Sequence, residues 1–232
     1  MRSGSRKVER VWIRTGKDDR SVRWLERAAR SRSIPVERAS ESALDERATG
    51  RTHGGILAFV GPRRFVGLEE LLPADSGSPW VVMVDGVEDP FNFGSAVRSL
   101  YAAGADGLVV RPRNWLSAAG VVARSSAGAS EYMKTAVADS AEEAAEFYRQ
   151  RGLAVACAAT GEGSSSLYEA DLRAPLFLLV GGEKRGVTRS FRDRADLRLK
   201  VPYGRPAHAL GTAAAAAVLG FEILRQRGAE AR

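Results

Sequence analysis

The first third of the chain alternates short apolar segments with one amphipathic stretch. Residues 8–14, VERVWIR, fit a strand, and residues 21–33 space Val22, Leu25 and Ala28/Ala29 at helical intervals among arginines and glutamates. The elements predicted after them are a strand at 34–40, a helix at 42–47 and a strand at 54–60. The pattern predicts a small α/β domain over residues 1–62, followed by a Pro- and Gly-rich linker at 63–78 that holds a short helix.

Beyond the linker, continuous apolar runs alternate with helical patterns. The runs that predict strands lie at 80–84, 106–110, 153–159, 176–180 and 197–202. Helices are predicted at about 94–103, 117–126, 140–150 and 210–227. Buried strands that alternate with helices are typical of a parallel sheet covered on both faces, so residues 79–232 are predicted to form a larger α/β domain.

The net positive charge of the chain indicates a negatively charged binding partner. The chain has 232 residues, a net charge of +7 and a pI near 10.0. Residues 1–70 hold 16 Lys/Arg against 10 Asp/Glu, so the excess is concentrated in the first third. This distribution favours a polyanion such as RNA, although an arginine-rich solvated surface would give the same count.

Several classes of protein are not indicated. The N-terminus MRSGSRKVER lacks the apolar core of a signal peptide, and the tract from Leu210 to Leu224 is too short and too weakly hydrophobic to span a bilayer. A single cysteine, Cys157, excludes an internal disulfide and a cysteine-based metal site, so we expect a cytoplasmic protein without a metal. Cys157 lies in an apolar run, where burial as a small hydrophobe competes with a catalytic role.

Three unusual loops should meet at one edge of a parallel sheet, where such sheets bind ligands. In the first, DGVEDPFNFGSAVR, Asp89-Pro90 predicts a turn, and Asn92 and Gly94 suit backbone conformations that other residues resist. Arg98 should then lie in the second turn of a helix and lean back towards the strand ends. A capped helix with a surface arginine is the competing interpretation.

The second and third loops add glycines, a carboxylate and a small-residue helix. In LLVGGEKRGV, two glycines permit close backbone approach to a ligand, and Glu183 follows them. The stretch lacks the Gly-Lys-Ser/Thr of a phosphate-binding Walker loop. In residues 201–227, a loop with Gly204, Arg205, Pro206 and His208 leads into an alanine-rich helix, which by itself could simply be a tightly packed C-terminal helix.

Taken together, the loops resemble in order and spacing the three motifs of the SpoU/TrmH branch of the SPOUT methyltransferases. DPFNFGSAVRSLYAAGADGLVV is similar to the first motif, LLVGGEKRG to the second and VPYGRPAHALGTAAAAAVLGFEILRQR to the third. SSAGASE at 125–131 also resembles a stretch of that family. Residues 1–60 resemble, more weakly, the small ribosomal-protein-like RNA-binding domain found in front of many members, without its usual first helix.

The resemblance implies a sheet whose C-terminal segment is threaded as a trefoil knot, a homodimer, S-adenosylmethionine as cofactor, and methylation of a ribose 2′-hydroxyl in ribosomal or transfer RNA. It implies cofactor contacts at Gly181, Val201 and Leu210. It also implies that Arg98 activates the hydroxyl. Because a guanidinium has a pKa above about 12, we expect Arg98 instead to stabilise the developing alkoxide and grip a phosphate. Asn92 would orient Arg98 or the ribose, and Glu183 would hold Arg98 or shape the loop over the cofactor.

The third motif departs from the family pattern. Where members usually have Ser-Leu-Asn-x-Ser, this chain has Ala209-Leu210-Gly211-Thr212-Ala213. Thr212 and His208 are the nearby polar candidates to replace the lost groups, and His208 could accept a proton, although a surface histidine is the alternative. The departure leaves open a non-catalytic RNA-binding protein on the same fold, and, more remotely, an unrelated nucleotide-binding α/β protein.

Overall fold

The computed structural model describes residues 4–48, 53–74, 77–112, 118–161, 163–205 and 209–228. The chain divides into two compact units, residues 1–64 and 65–232. No helix in these described ranges is both long and apolar enough to cross a membrane.

The smaller unit is a three-stranded sheet with two helices. Its elements are β1 (Val8–Arg14), α1 (Arg20–Arg30), β2 (Val36–Ala39), α2 (Glu41–Arg47) and β3 (Ile56–Val60). The central strand β1 pairs in parallel with β2 and antiparallel with β3. Val11, Ile13 and Val22 form its buried cluster, and each helix begins at a side-chain cap, Asp19 for α1 and Ser40 for α2. The small α/β domain predicted from the pattern is therefore present.

The larger unit alternates strands and helices along the chain. Its elements are the 3₁₀ helix Glu69–Leu71, β4 (Trp80–Asp85), α3 (Pro90–Ala102), β5 (Gly107–Val110), α4 (Ala119–Ser125), α5 (Ala129–Tyr132), β6 (Thr135–Val137), α6 (Ala141–Arg149), β7 (Ala154–Ala158), β8 (Ser165–Ser166), β9 (Leu176–Gly181), α7 (Arg189–Arg194), β10 (Leu197–Lys200) and α8 (Thr212–Gln226). Within the described residues the strand order is β6-β5-β4-β9-β7-β10-β8, and the pairings between these strands are parallel. The predicted parallel sheet is confirmed.

Both faces of this sheet are buried, which explains the continuous apolar runs. Successive residues of β4 alternate between two cores: Val82 packs with α3, α4 and α8, whereas Met83 packs with α6 and α7. The strand β9 alternates in the same way, with Leu178 on the first side and Phe177 on the second. A strand covered on both faces has no solvent side, so its polar/apolar alternation disappears.

The helix of the first loop begins earlier than the sequence pattern predicts. Asp89 is its N-cap, and its carboxylate accepts the backbone N–H groups of Phe91 and Asn92, while Pro90 occupies the first helical position. Proline is favoured there because it has no N–H to satisfy and its φ angle already suits a helix. The predicted Asp-Pro turn is thus a helix start, and Arg98 lies in the third turn rather than the second.

Gly94 is helical, and its role is packing. A Cβ atom at this position would lie 1.8 Å from Oγ of Ser125 on α4. The expectation that Asn92 and Gly94 adopt unusual backbone conformations is therefore wrong: both belong to the regular helix α3. The glycine allows α3 and α4 to approach more closely than any side chain would permit.

Part of the predicted linker belongs to the larger unit. Val66 forms a parallel bridge with Ala136 beside β6, and Leu71 of the 3₁₀ helix is 1% exposed within the core shared with α6. Apolar side chains at positions 66–72 thus anchor this segment to the sheet. Cys157 on β7 is fully buried, and desolvation raises the pKa of its thiol to about 11, so it packs as a small hydrophobe.

Candidate active site

The three loops meet at the carboxylate of Glu183. This residue follows β9, and its Oε1 accepts a hydrogen bond from Nδ2 of Asn92 on the first turn of α3, at 3.2 Å. The same oxygen lies 3.3 Å from the backbone N of Thr212, the first residue of α8, and accepts its N–H. One carboxylate therefore joins the first, second and third loops, which are separated by about ninety and about thirty positions in the sequence.

Glu183 acts as the cap of the final helix. The N-cap residue Gly211 has no side chain to satisfy the free N–H groups of α8. The carboxylate of Glu183 takes that place from another loop, where a negative charge is favoured by the helix dipole. The two hydrogen bonds of this carboxylate go to the first and third loops, and none joins it to Arg98 in the described residues.

Thr212 supplies the polar side chain of the altered third motif. Its hydroxyl donates to the backbone oxygen of Gly181 at 3.2 Å, and the residue is 4% exposed. The start of α8 is thus tied to the end of β9 through the hydroxyl of Thr212, and to Glu183 in the following loop through its backbone N–H. Thr212 therefore makes the kind of loop-fixing bond that the missing serines and asparagine would be expected to make.

Gly181, the last residue of β9, and Gly182 after it approach the chain's own backbone. A Cβ on Gly181 would lie 2.4 Å from the carbonyl carbon of Gly186, and one on Gly182 would lie 2.0 Å from the carbonyl oxygen of Gly86. The nearest neighbours of these two positions are the turn that follows them and the loop after β4. A close approach of the same backbone to a ligand stays a prediction.

The predicted cofactor residues lie at the strand ends of this same edge. Gly181 ends β9, and Val201, 8% exposed, follows β10. Leu210 is 40% exposed just before α8, and its N–H donates to the hydroxyl of Tyr203 at 3.4 Å. Main-chain polar groups and apolar side chains are thus presented together.

Arg98 is not part of the hydrogen-bonded cluster. It is exposed on α3, and no hydrogen bond or ion pair joins it to another residue in the described ranges. It stands six positions after Asn92 on the same helix, which corresponds to about 9 Å along the axis and about 120° around it. The structure brings Asn92, Glu183, Thr212 and Gly181 together, whereas the side chain of Arg98 is exposed to solvent. His208 lies outside the described residues.

Beside the cluster lies a groove whose lining comes largely from the first and second loops. It has a volume of about 430 Å³ and is lined by the ends of β4 and β5, together with residues 184–185. Arg111 donates to the carboxylate of Asp85 at 2.8 Å across the groove, and Lys184 pairs with Glu88 and lowers the pKa of that carboxyl. Asp85 is the last residue of β4, and Arg111 directly follows β5. Because parallel sheets bind ligands beyond the carboxyl ends of their strands, the sequence positions of these two residues could have identified them.

The described residues contain no group of three or more His, Cys, Asp or Glu side chains arranged to hold a metal ion.

Comparisons with known proteins agree with this geometry. Residues 79–221 match the model of the SpoU rRNA methylase family, and residues 1–66 match the RNA 2′-O ribose methyltransferase substrate-binding domain. The chain is 34% identical to the 23S rRNA (guanosine-2′-O-)-methyltransferase RlmB of Pseudomonas aeruginosa over 98% of its own length and 92% of that protein.

Solved structures show the same fold. A crystal structure of an RNA 2′-O ribose methyltransferase matches 96% of this chain and 82% of its own, with a TM-score of 0.79 and 25% identity. The SpoU methyltransferase AviRb from Streptomyces viridochromogenes, in complex with AdoMet, matches 96% of this chain and 84% of its own, with a TM-score of 0.78 and 22% identity. The resemblance inferred from the three loops is confirmed: the chain belongs to the SpoU rRNA methylase family of S-adenosylmethionine-dependent RNA methyltransferases.

Proposed function

We propose that this protein transfers a methyl group from S-adenosylmethionine to the ribose 2′-hydroxyl of a guanosine in 23S ribosomal RNA, in the cytoplasm. Family membership makes it an RNA methyltransferase, and the relatives named for the guanosine reaction match it at up to 34% identity over nearly the whole chain. The observation that carries the proposal is the bonding of Asn92, Thr212 and Glu183, which joins the three motif loops at one edge of the sheet.

The residues at this edge fit the cofactor. Leu210 and Val201 supply apolar side chains suited to an adenine ring, and the ends of β9 and β10 supply main-chain donors and acceptors. The carboxylate of Glu183 is the acidic group of the cluster, and a negative charge favours a sulfonium cation nearby. When bound, the cofactor supplies a methyl group on a positively charged sulfur, which leaves as a neutral thioether.

The chain's own residues must then orient the ribose and stabilise its oxygen. Arg98 is permanently charged and presents a planar fork of donors, so it can stabilise negative charge that develops on the 2′-oxygen and hold an adjacent phosphate. The proton leaves to a phosphate oxygen or to water, because Arg98 cannot accept it. Asn92, fixed by Glu183, orients the ribose. An arginine whose partner is RNA is expected to be exposed in the free protein, as Arg98 is.

Mapping of 2′-O-methylated riboses in ribosomal RNA tests this function. We expect a deletion strain to lose one methylated guanosine of 23S RNA, and the purified protein to restore it on a transcript in the presence of S-adenosylmethionine. An unchanged methylation map would exclude the proposed substrate. Absence of cofactor binding in calorimetry at millimolar concentration would instead favour the non-catalytic RNA-binding alternative, which the altered third motif keeps open.

We also propose that the protein is a homodimer and that α8 contributes to its interface. The inner side of this helix is buried, with Ala216, Leu219 and Ile223 fully covered. Its outer side carries apolar residues at helical spacing, and among them Phe221 is 49% exposed. An apolar outer stripe on a helix that already covers a core is typical of an interface, and a second copy of this chain is the partner that the family resemblance implies.

Phe221→Glu should convert the dimer to a monomer. A carboxylate at the centre of an apolar interface would be desolvated without a partner, whereas on the free surface of a monomer it costs little. Light scattering at micromolar concentration measures the change, and Tyr168→Glu is the matched control, because Tyr168 is 57% exposed but lies outside α8. A Phe221→Glu protein that keeps the mass of wild type would contradict the interface, as would a monomeric wild type.

The predicted domain roles and the knot belong to the same proposal. We assign RNA binding to the domain at 1–62 and catalysis to residues 79–232, joined by residues 63–78. Residues 1–64 hold 16 Lys/Arg and eight Asp/Glu, which supports contact with a polyanion. The trefoil knot is proposed because the chain belongs to the SpoU family, whose resemblance implies it.

A further inference from the structure

The outer face of α1 carries one continuous basic stripe. Arg20, Arg23, Arg27 and Arg30 follow one another at intervals of three or four residues, and Trp24 lies four after Arg20 and three before Arg27, so all five lie along one side of the helix. All five are exposed. Ten residues at about 1.5 Å each make this row about 15 Å long. These five residues are called the basic stripe below.

The charges of the basic stripe are largely uncompensated. Arg23 has a marginal contact with Asp18 at 4.0 Å, and the side chains of Arg20, Arg27 and Arg30 form no ion pair or hydrogen bond with any residue in the described parts of the chain. Other arginines of the same unit form ion pairs with glutamates.

Those paired arginines stand on the sheet of the unit. Arg14 binds Glu41 at 3.1 Å, and Arg38 binds Glu26. Since this unit has acidic groups and uses them elsewhere, the basic stripe remains a local excess of positive charge. Such an excess attracts a polyanion.

Trp24 gives the stripe an exposed aromatic ring. It is 41% exposed, and arginines precede and follow it on the same side of the helix. An indole within a row of arginines combines a stacking face with phosphate-binding groups, which is how proteins bind unpaired nucleotides.

The opposite face of α1 distinguishes RNA from a membrane. A basic helix that binds a bilayer must bury an apolar face in the lipid. Here that face is already used, because Val22 and Ala29 are fully buried and Leu25 packs against the sheet. The exposed side of the helix therefore carries charge and one aromatic ring, and its apolar side is covered by the sheet.

We propose that the basic stripe is an RNA-binding surface on which the four arginines contact phosphates and Trp24 stacks on an unpaired base. The inference rests on the proposed function for the identity of the RNA, and goes beyond it by assigning the contact to one face of one helix. It also specifies the mode of contact: backbone charge plus stacking on a single-stranded or bulged segment.

Salt-dependent binding of the full-length protein tests the arginines. The probes are a transcript of 23S ribosomal RNA and a 30-nucleotide single-stranded RNA of mixed sequence, followed by fluorescence anisotropy. For Arg20→Gln/Arg27→Gln, the slope of log affinity against log salt should become less steep by about 1.4 to 1.8, since each phosphate contact contributes about 0.7 to 0.9. The matched control is Arg14→Gln/Arg38→Gln, which changes net charge equally but removes arginines that are already paired.

Trp24→Ala tests stacking separately. We expect the affinity for the single-stranded RNA to fall about five-fold or more, with the salt slope unchanged, because stacking is not a charge contact. Trp24→Phe should retain part of the affinity. Equal losses for Trp24→Ala and Trp24→Phe, or a changed salt slope, would count against a stacked base.

The outcomes separate this inference from the proposed function. If the wild type methylates its 23S transcript but the stripe variant and its paired-arginine control have equal salt slopes, the stripe is wrong and the function stands. In a second outcome, the wild type does not methylate the 23S transcript, yet the salt slope becomes less steep in the stripe variant and not in its control. The basic stripe would then be confirmed and the proposed substrate would be wrong. Binding of phosphatidylglycerol vesicles that the stripe variant loses, with RNA affinity intact, would overturn the assignment to RNA.

Discussion

Arg98→Ala should reduce the turnover number for RNA methylation by at least about 100- to 1000-fold, the range seen when a donor to a developing oxyanion is removed. The affinity for S-adenosylmethionine should stay within several-fold of wild type. The reason is spatial: the predicted cofactor residues lie at the ends of β9 and β10 and before α8, whereas Arg98 stands two turns along α3 without a bond to that cluster. Single-turnover methylation and calorimetry measure the two quantities.

Arg98→Lys should rescue turnover poorly. Lysine keeps the charge but lacks the planar pair of donors that can hold an oxygen and a phosphate together. Arg189→Ala is the matched control, because Arg189 is an 87% exposed arginine of the same unit on α7. Near-normal turnover of Arg98→Lys would refute the role given to the guanidinium fork, and a large loss in Arg189→Ala would show that surface charge alone explains the effect.

Gly182→Ala should destabilise the larger unit by about 3 kcal/mol or more, at or beyond the upper end for overpacking. The new Cβ would lie 2.0 Å from the carbonyl oxygen of Gly86 and 2.3 Å from its carbon, so relief requires movement of main chain rather than rotation of a side chain. The loops after β4 and β9 would separate, and cofactor binding should weaken with stability. Thermal unfolding followed by circular dichroism, and calorimetry with S-adenosylmethionine, measure both.

Gly77→Ala is the control for the backbone effect. Nothing lies within 4 Å of a Cβ placed there, and its φ angle is outside the left-handed region, so stability should change by less than about 0.5 kcal/mol. A Gly182→Ala protein as stable as this control would show that the two loops can separate freely. The close approach of Gly182 to Gly86 would then have no structural importance.

Much of the fold follows from the sequence because its signals are local. The continuous apolar runs of β4 and β9 predict strands buried on both faces, and the structure places their successive residues in two separate cores. The amphipathic spacing around Val22 predicts α1 for the same reason, since a helix must bury one side. The motifs with their strand-end positions also identify the site edge and the family. The sequence Asp89-Pro90 carries the local signature of a helix start as well as that of a turn, since Asp favours the N-cap and Pro the first helical position.

Other features depend on residues far apart in the chain, and only the tertiary structure decided them. A glycine looks the same in the sequence whether it is needed for a turn or for close packing. The structure shows that Gly94 allows close approach of Ser125, and that Gly182 allows close approach of Gly86. Only the folded structure identifies Asn92 and Thr212 as the partners of Glu183, because a carboxylate binds whichever donors the fold brings within about 3 Å. Local spacing fixes which side of a helix is apolar, whereas the partner of a polar group is fixed by the packing of whole elements.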